Sequence, residues 1–132
     1  MWLGLFGSLF LTIVFLQSGL DKLLNYKHEL GWVRQKFVRS PLHSYVGVLF
    51  FVLAIAETIS GVFSLSGAFQ IFFTSENSLA LIGAWCASIT MLMLIFGQRI
   101  TKDYTGAATL VPYFIATLLV LYSLVAFFYR VN

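Results

Sequence analysis

Charge is what this sequence has least of: 10% of its 132 residues are Asp, Glu, Lys or Arg, against about 25% in a soluble domain. With 60% hydrophobic residues and a mean hydropathy of +0.92, the chain lacks the polar side chains to cover a water-facing surface, which excludes a soluble domain. Cysteine is nearly absent. Cys86 stands alone in an apolar run, so an internal disulfide and a C-x-x-C redox pair are both excluded. The two histidines, His28 and His43, sit in or beside the first polar loop, so the paired intramembrane histidines of a four-helix haem protein are missing. No metal-ligand cluster, nucleophile elbow, Walker loop or dinucleotide fingerprint is present. The net charge of +3 is concentrated in one loop and makes no nucleic-acid footprint. The first apolar stretch has neither a basic leader nor a small-residue cleavage site, and is read as a retained span.

What is present is long apolar runs. Stretches free of charge cover 1–20, 40–56 continuing past Glu57 to 75, 77–98 and 104–129. A hydrocarbon core of about 30 Å needs about 20 helical residues. None of the runs shows the alternation of a membrane barrel strand. The expectation is therefore an all-α polytopic membrane protein, a four-transmembrane-helix bundle with helices near 2–20, 44–69, 79–98 and 106–129, forming one membrane domain over 1–132. Ser40-Pro41 reads as a capped start for the second span. Thr74 to Ser78 reads as a polar turn, and Pro112 as a candidate kink in the fourth span.

The first loop, 21–40, is more than a connector by pattern: Tyr26, Leu30, Val33 and Phe37 share a helical face, with His28, Glu29, Gln35, Lys36 and Arg39 largely opposite and Trp32 out of phase. This predicts a short amphipathic helix on the membrane surface, with a solvated basic connector as the alternative. Lys22, Lys27, Arg34, Lys36, Arg39, Arg99 and Lys102 fall in the first and third loops, and Arg130 alone falls on the other side. The positive-inside rule then places both basic loops in the cytoplasm and both termini outside, with the inner (cytoplasmic) membrane of a bacterium as the expected location. Trp2 and Tyr129 at one surface, and Tyr26, Tyr45 and Tyr104 at the other, are candidate interfacial anchors. Phe50, Phe72, Phe127 and Phe128 are expected to face lipid and offer docking surface.

Glu57 is the informative residue. An ionisable side chain within a span costs about 2.5–3.5 kcal/mol on insertion scales. Its helical neighbours Ala54, Ser60, Gly61, Ser64 and Ala68 form a small, polar face suited to helix packing. Spans of equal depth would put Glu57 level with Ser8, Cys86 and Thr117, out of reach of Lys22 and Arg99, and so in its protonated, hydrogen-bond-donating form. It would then either tie helices together or handle a proton, ion or ligand. In the fourth span Gly106, Thr109, Tyr113, Ala116 and Thr117 share a face expected to look inward, with Tyr113 shallower than Glu57. Tyr113, Gln17 and Gln98 could line a pocket nearer the cytoplasmic surface.

The segment Phe15-Leu16-Gln17-Ser18-Gly19-Leu20-Asp21-Lys22-Leu23, followed by Ala56-Glu57-Thr58-Ile59-Ser60-Gly61-Val62-Phe63-Ser64-Leu65-Ser66-Gly67, resembles the DoxX/DoxD-like family of small four-span membrane proteins. Gly19, Lys22, Glu57 and Gly61 are the positions that match its short motifs. The arginine that many members carry early in the first span has no counterpart here. The resemblance implies an accessory subunit of a larger membrane complex, not catalytic on its own, acting in quinone-linked redox chemistry such as thiosulfate:quinone oxidoreduction or in assembly and maturation. It implies other membrane proteins or a second copy as partners beside the lipid bilayer, and a quinone or lipid as ligand. The alternative is a small proton-coupled transporter using Glu57, similar to the small multidrug resistance proteins, whose essential Glu lies in the first helix.

Overall fold

The computed structural model describes residues 2–41 and 43–131, and every regular element among them is helical. The first span is α1 (Trp2–Leu11), a π-helical turn (Thr12–Leu16) and α2 (Gln17–Leu24) on one continuous path. Next come α3 (Tyr26–Lys36), α4 (Val46–Thr74), α5 (Ser78–Ile100) and α6 (Tyr104–Val131). Four stretches, Trp2–Leu24, His43–Thr74, Ser78–Ile100 and Tyr104–Phe127, are long and apolar enough to cross a membrane. Four such helices suggest an integral membrane protein.

Small residues set how closely the helices approach. A Cβ on Gly61 would lie 2.6 Å from the backbone of Leu16, and one on Gly83 would lie 2.7 Å from Ser64 Oγ. Only glycine admits these contacts, and in hydrocarbon such close packing replaces the hydrophobic drive that water would supply. On α4 the face Ala54, Glu57, Ser60, Gly61, Ser64 and Ala68 is wholly buried, as its 3.6-residue spacing requires. At the far end Leu5, Ile71, Ala80 and Leu124 close the bundle with hydrocarbon.

Several boundaries differ from the sequence reading. The first span stays helical to Leu24, four residues beyond 20, and α4 runs to Thr74, five residues beyond 69. Ser75 then ends α4 in the left-handed region at φ 62. Pro41 does not open α4. A short 3₁₀ turn over His43–Tyr45 intervenes, and α4 begins at Val46 without a side-chain cap. Helix α6 continues through Pro112 unbroken. Its buried residues are Ala107, Thr117 and Leu124, with Leu110, Phe114 and Leu121 packed beside them. The expected inward face is thus mostly not inward: Thr109 and Tyr113 are exposed and only Thr117 is buried. The hydroxyls of Thr109 and Thr117 bond the carbonyls of Thr105 and Tyr113 on their own helix. That self-satisfaction lets threonine face lipid, so apolar bulk decides which side turns in.

Helix α3 turns Tyr26, Leu30, Val33 and Phe37 toward partial burial and leaves Trp32 60% exposed. Tyr26 stacks on Phe50 of α4 at 5.4 Å between ring centroids and its hydroxyl donates to the Gly47 carbonyl. Part of the apolar face of α3 thus packs on α4, with Tyr26 making a tertiary contact there. Phe50, expected to face lipid, is buried at this junction, while Phe72 is exposed and Phe127 half-buried. The side chain of Phe128 lies outside the described residues.

The α3 C-terminus is tied to the third loop. Lys36 pairs with Asp103 at 2.6 Å and donates to Gln98 Oε1. Asp103 also caps α6, its Oδ1 accepting the Gly106 N–H at 3.0 Å, as expected of Asp at a helix N-terminus. The Lys36 hydrogen bond, aided by the Gly106 N–H, holds the Asp103 carboxyl below the usual aspartate range. A lowered folded value means the link is present above the ordinary aspartate range and lost as pH falls through the lowered one. Amide protection factors in α3, corrected for the intrinsic pH dependence of exchange, should fall over that acid interval, whereas in Asp103→Asn they should already be low at neutral pH; identical protection in the two proteins at every pH would remove Asp103 from the docking of α3.

Candidate functional site

Glu57 lies twelve residues into α4 and is 1% exposed. Its Oε2 is 3.0 Å from Lys22 Nζ and accepts the Ser18 hydroxyl at 3.0 Å, while Lys22 in turn donates to Ser18 Oγ at 2.8 Å. Three polar groups from two helices thus close on one another inside the bundle. Both donors converge on Oε2.

This overturns the expectation that no cation reaches Glu57. The error was one of register. Gly19 packs on Thr58, Leu16 on Gly61, and Gly4 faces Ile71, so Glu57 stands level with Ser18, ten residues further along the chain than Ser8. Ten helical residues are about 15 Å. Two features make that offset: the first span extends to Leu24, and the first turns of α4 project past its end to pack beneath α3. A lysine near the end of one span therefore stands beside the third turn of the next. The π turn contributes as well, because each extra residue in a wide turn rotates the helix beyond it; it delivers the Leu16 backbone to Gly61 and the Ser18–Lys22 face to Glu57.

The register places the other neighbours too. Glu57 shares a lateral cleft of about 450 Å³ with Gln17, Ser18, Asp21 and Tyr113, walled by Ile13, Met91, Leu94 and Leu110 among others. Tyr113 lines the same cleft as Glu57. Cys86 and Thr117 do not line the cleft; Thr117 is buried beside its own helix carbonyl, and Cys86 accepts at its backbone oxygen from Thr90. One turn along α4, Ser60 and Thr90 hydroxyls meet at 3.3 Å and link α4 to α5.

Of the residues grouped from sequence, Gln17 and Tyr113 do come together, whereas Gln98 belongs to a different cavity and is held by Lys36. The four motif positions Gly19, Lys22, Glu57 and Gly61 converge on one seam between the first span and α4. Ser18 and Asp21 were not singled out. The signal for Ser18 was the four-residue step Ser18–Lys22, which puts a hydroxyl and an ammonium on one helical face. Among the described residues no three His, Cys, Asp or Glu side chains gather to hold a metal ion.

No family model matches the chain, and no curated protein or solved structure matches it.

Proposed function

We propose that the chain is a DoxX-like accessory subunit of a larger membrane complex, handling a quinone or similar lipid-soluble ligand at the cleft beside Glu57. The observation that carries this is the composition of that cleft: largely hydrocarbon walls, with Gln17, Ser18, Asp21, Glu57 and Tyr113 also lining it. Amphiphile sites combine apolar lining with a few convergent polar groups, and about 450 Å³ lies within the usual range of ligand pockets. The buried ion pair fixes the polar end, since Lys22 and Ser18 hold the carboxylate from behind. In this reading the basic loops face the cytoplasm of a bacterial inner membrane, both termini lie outside, and α3 rests at the cytoplasmic surface.

The alternative is the proton-coupled transporter using Glu57. Such a carboxylate must exchange its partner in each cycle, and one already held by an ammonium and a hydroxyl is poorly placed for that, so the subunit reading ranks first.

Purification of the tagged chain from its native membrane in mild detergent, with mass spectrometry of proteins and extractable quinones, tests the reading. A stoichiometric membrane-protein partner is expected, together with a quinone that Gln17→Leu/Tyr113→Phe loses while the partner stays. A lone chain without partner or quinone, which drives proton-coupled flux in liposomes abolished by Glu57→Gln, would replace this reading with the transporter.

A further inference from the structure

A second cavity, of about 320 Å³, lies under α3 at the loop end of the bundle. Its walls are hydrocarbon from the start of α4 and the end of α5, including Val46, Leu49, Phe50, Leu53, Met93 and Phe96. Three charged residues are among those that line it: Lys22, Glu29 and Lys36.

Their hydrogen-bonding capacity is unevenly used. A lysine ammonium has three donors. Lys22 spends two, on Glu57 and Ser18, and Lys36 spends two, on Asp103 and Gln98, with its ammonium also 5.1 Å from the Trp32 ring centroid, so one N–H on each is not committed to an oxygen. Glu29 is half-buried, and among the described residues its carboxylate has neither a hydrogen bond nor an ion pair. It stands seven residues before Lys36, two turns away on the same face of α3. A partly desolvated carboxylate without a donor is unfavourable, so the cavity calls for a cationic N–H donor at one point and an anionic acceptor at another.

Few amphiphiles meet both demands. An anionic headgroup would suit the lysines and set its charge against Glu29. A cationic amphiphile would do the reverse. Phosphocholine has both charges, yet its quaternary nitrogen carries no hydrogen to donate. A phosphate joined to a primary ammonium satisfies all three side chains, and the apolar walls suit an acyl chain. We propose that this cavity binds a phospholipid with a phosphoethanolamine headgroup, its phosphate on Lys36 and Lys22, its ammonium on Glu29, and one acyl chain against α4 and α5. The cavity shares Lys22 with the Glu57 site, and the proposal does not depend on which ligand the Glu57 cleft takes.

The test is native mass spectrometry of the intact protein released from vesicles of equimolar phosphatidylethanolamine, phosphatidylcholine and phosphatidylglycerol. One retained phosphatidylethanolamine per chain is expected, favoured about tenfold over phosphatidylcholine, as one charge-assisted hydrogen bond would give. Glu29→Gln should bring the two lipids to near parity, and Lys36→Gln should lower retention of both. Leu53→Trp, which fills the cavity, should expel the lipid. A series in which the headgroup nitrogen is methylated once, twice and three times needs no variant and should lower retention at each step. A flat methylation series, preference for phosphatidylglycerol, or unchanged selectivity in Glu29→Gln would each overturn the proposal.

Discussion

Lys22→Met is expected to lower the stability of the folded bundle by about 3–5 kcal/mol, the usual cost of removing one partner of a buried ion pair. Methionine keeps the aliphatic stem that packs along the helix and removes only the ammonium, so the loss isolates charge from volume. What remains is Glu57, 1% exposed, with the Ser18 hydroxyl as its single donor. The second substitution decides the cause. In Lys22→Met/Glu57→Gln the uncompensated charge is gone, Ser18 can still bond the amide, and most of the lost stability should return, because a buried pair is worth little more than a neutral isostere. Unfolding of both variants by denaturing detergent, monitored by helical circular dichroism, measures this. A double variant no more stable than Lys22→Met would show that an uncompensated Glu57 charge is not the cause of the loss.

Gly61→Val should be comparably damaging, at about 3 kcal/mol or more, the upper end for overpacking a closed site. The first added atom meets the Leu16 backbone at 2.6 Å, and a helix backbone cannot rotate aside as a side chain can. The first span must then separate from α4, opening the seam that holds Lys22 against Glu57. Gly31 in α3 is the internal control. A Cβ there meets nothing within 4 Å, so Gly31→Ala should stabilise α3 by about 0.8 kcal/mol through helix propensity. Thermal unfolding in one detergent compares the two glycines directly. Equal, small effects at both would mean that the two helices are not in van der Waals contact at Gly61.

The contrast between those glycines marks what could be read from sequence. Apolar length reveals the four spans, because the bilayer fixes how many residues must cross it. Period reveals the buried face of α4 from Ala54 to Ala68, because small and polar side chains at 3.6-residue spacing have nowhere else to go. Neither quantity reports how far one helix slides along another. Lys22 was placed at an edge and Glu57 at mid-depth by assuming spans of equal length and common ends, and the extension to Leu24 with the overhang of α4 cancels that assumption. The Lys36–Asp103 link joins residues 67 positions apart, and no local pattern announces it. On α6 the face chosen by threonine and glycine lost to the one chosen by Leu110, Phe114, Leu121 and Leu124, since hydroxyls content with their own helix exert no pull toward the centre.

The wide turn over Thr12–Leu16 gives the first span a step in phase. Five residues in a wide i→i+5 turn sweep about the arc of four α-helical ones, so tightening Thr12–Leu16 into a regular α turn with every residue kept would swing everything beyond by about 100°. Lys22 and Ser18 would then point away from α4 and Glu57 would lose both donors. Two chains indistinguishable on a hydropathy plot could thus differ in whether they possess this site at all.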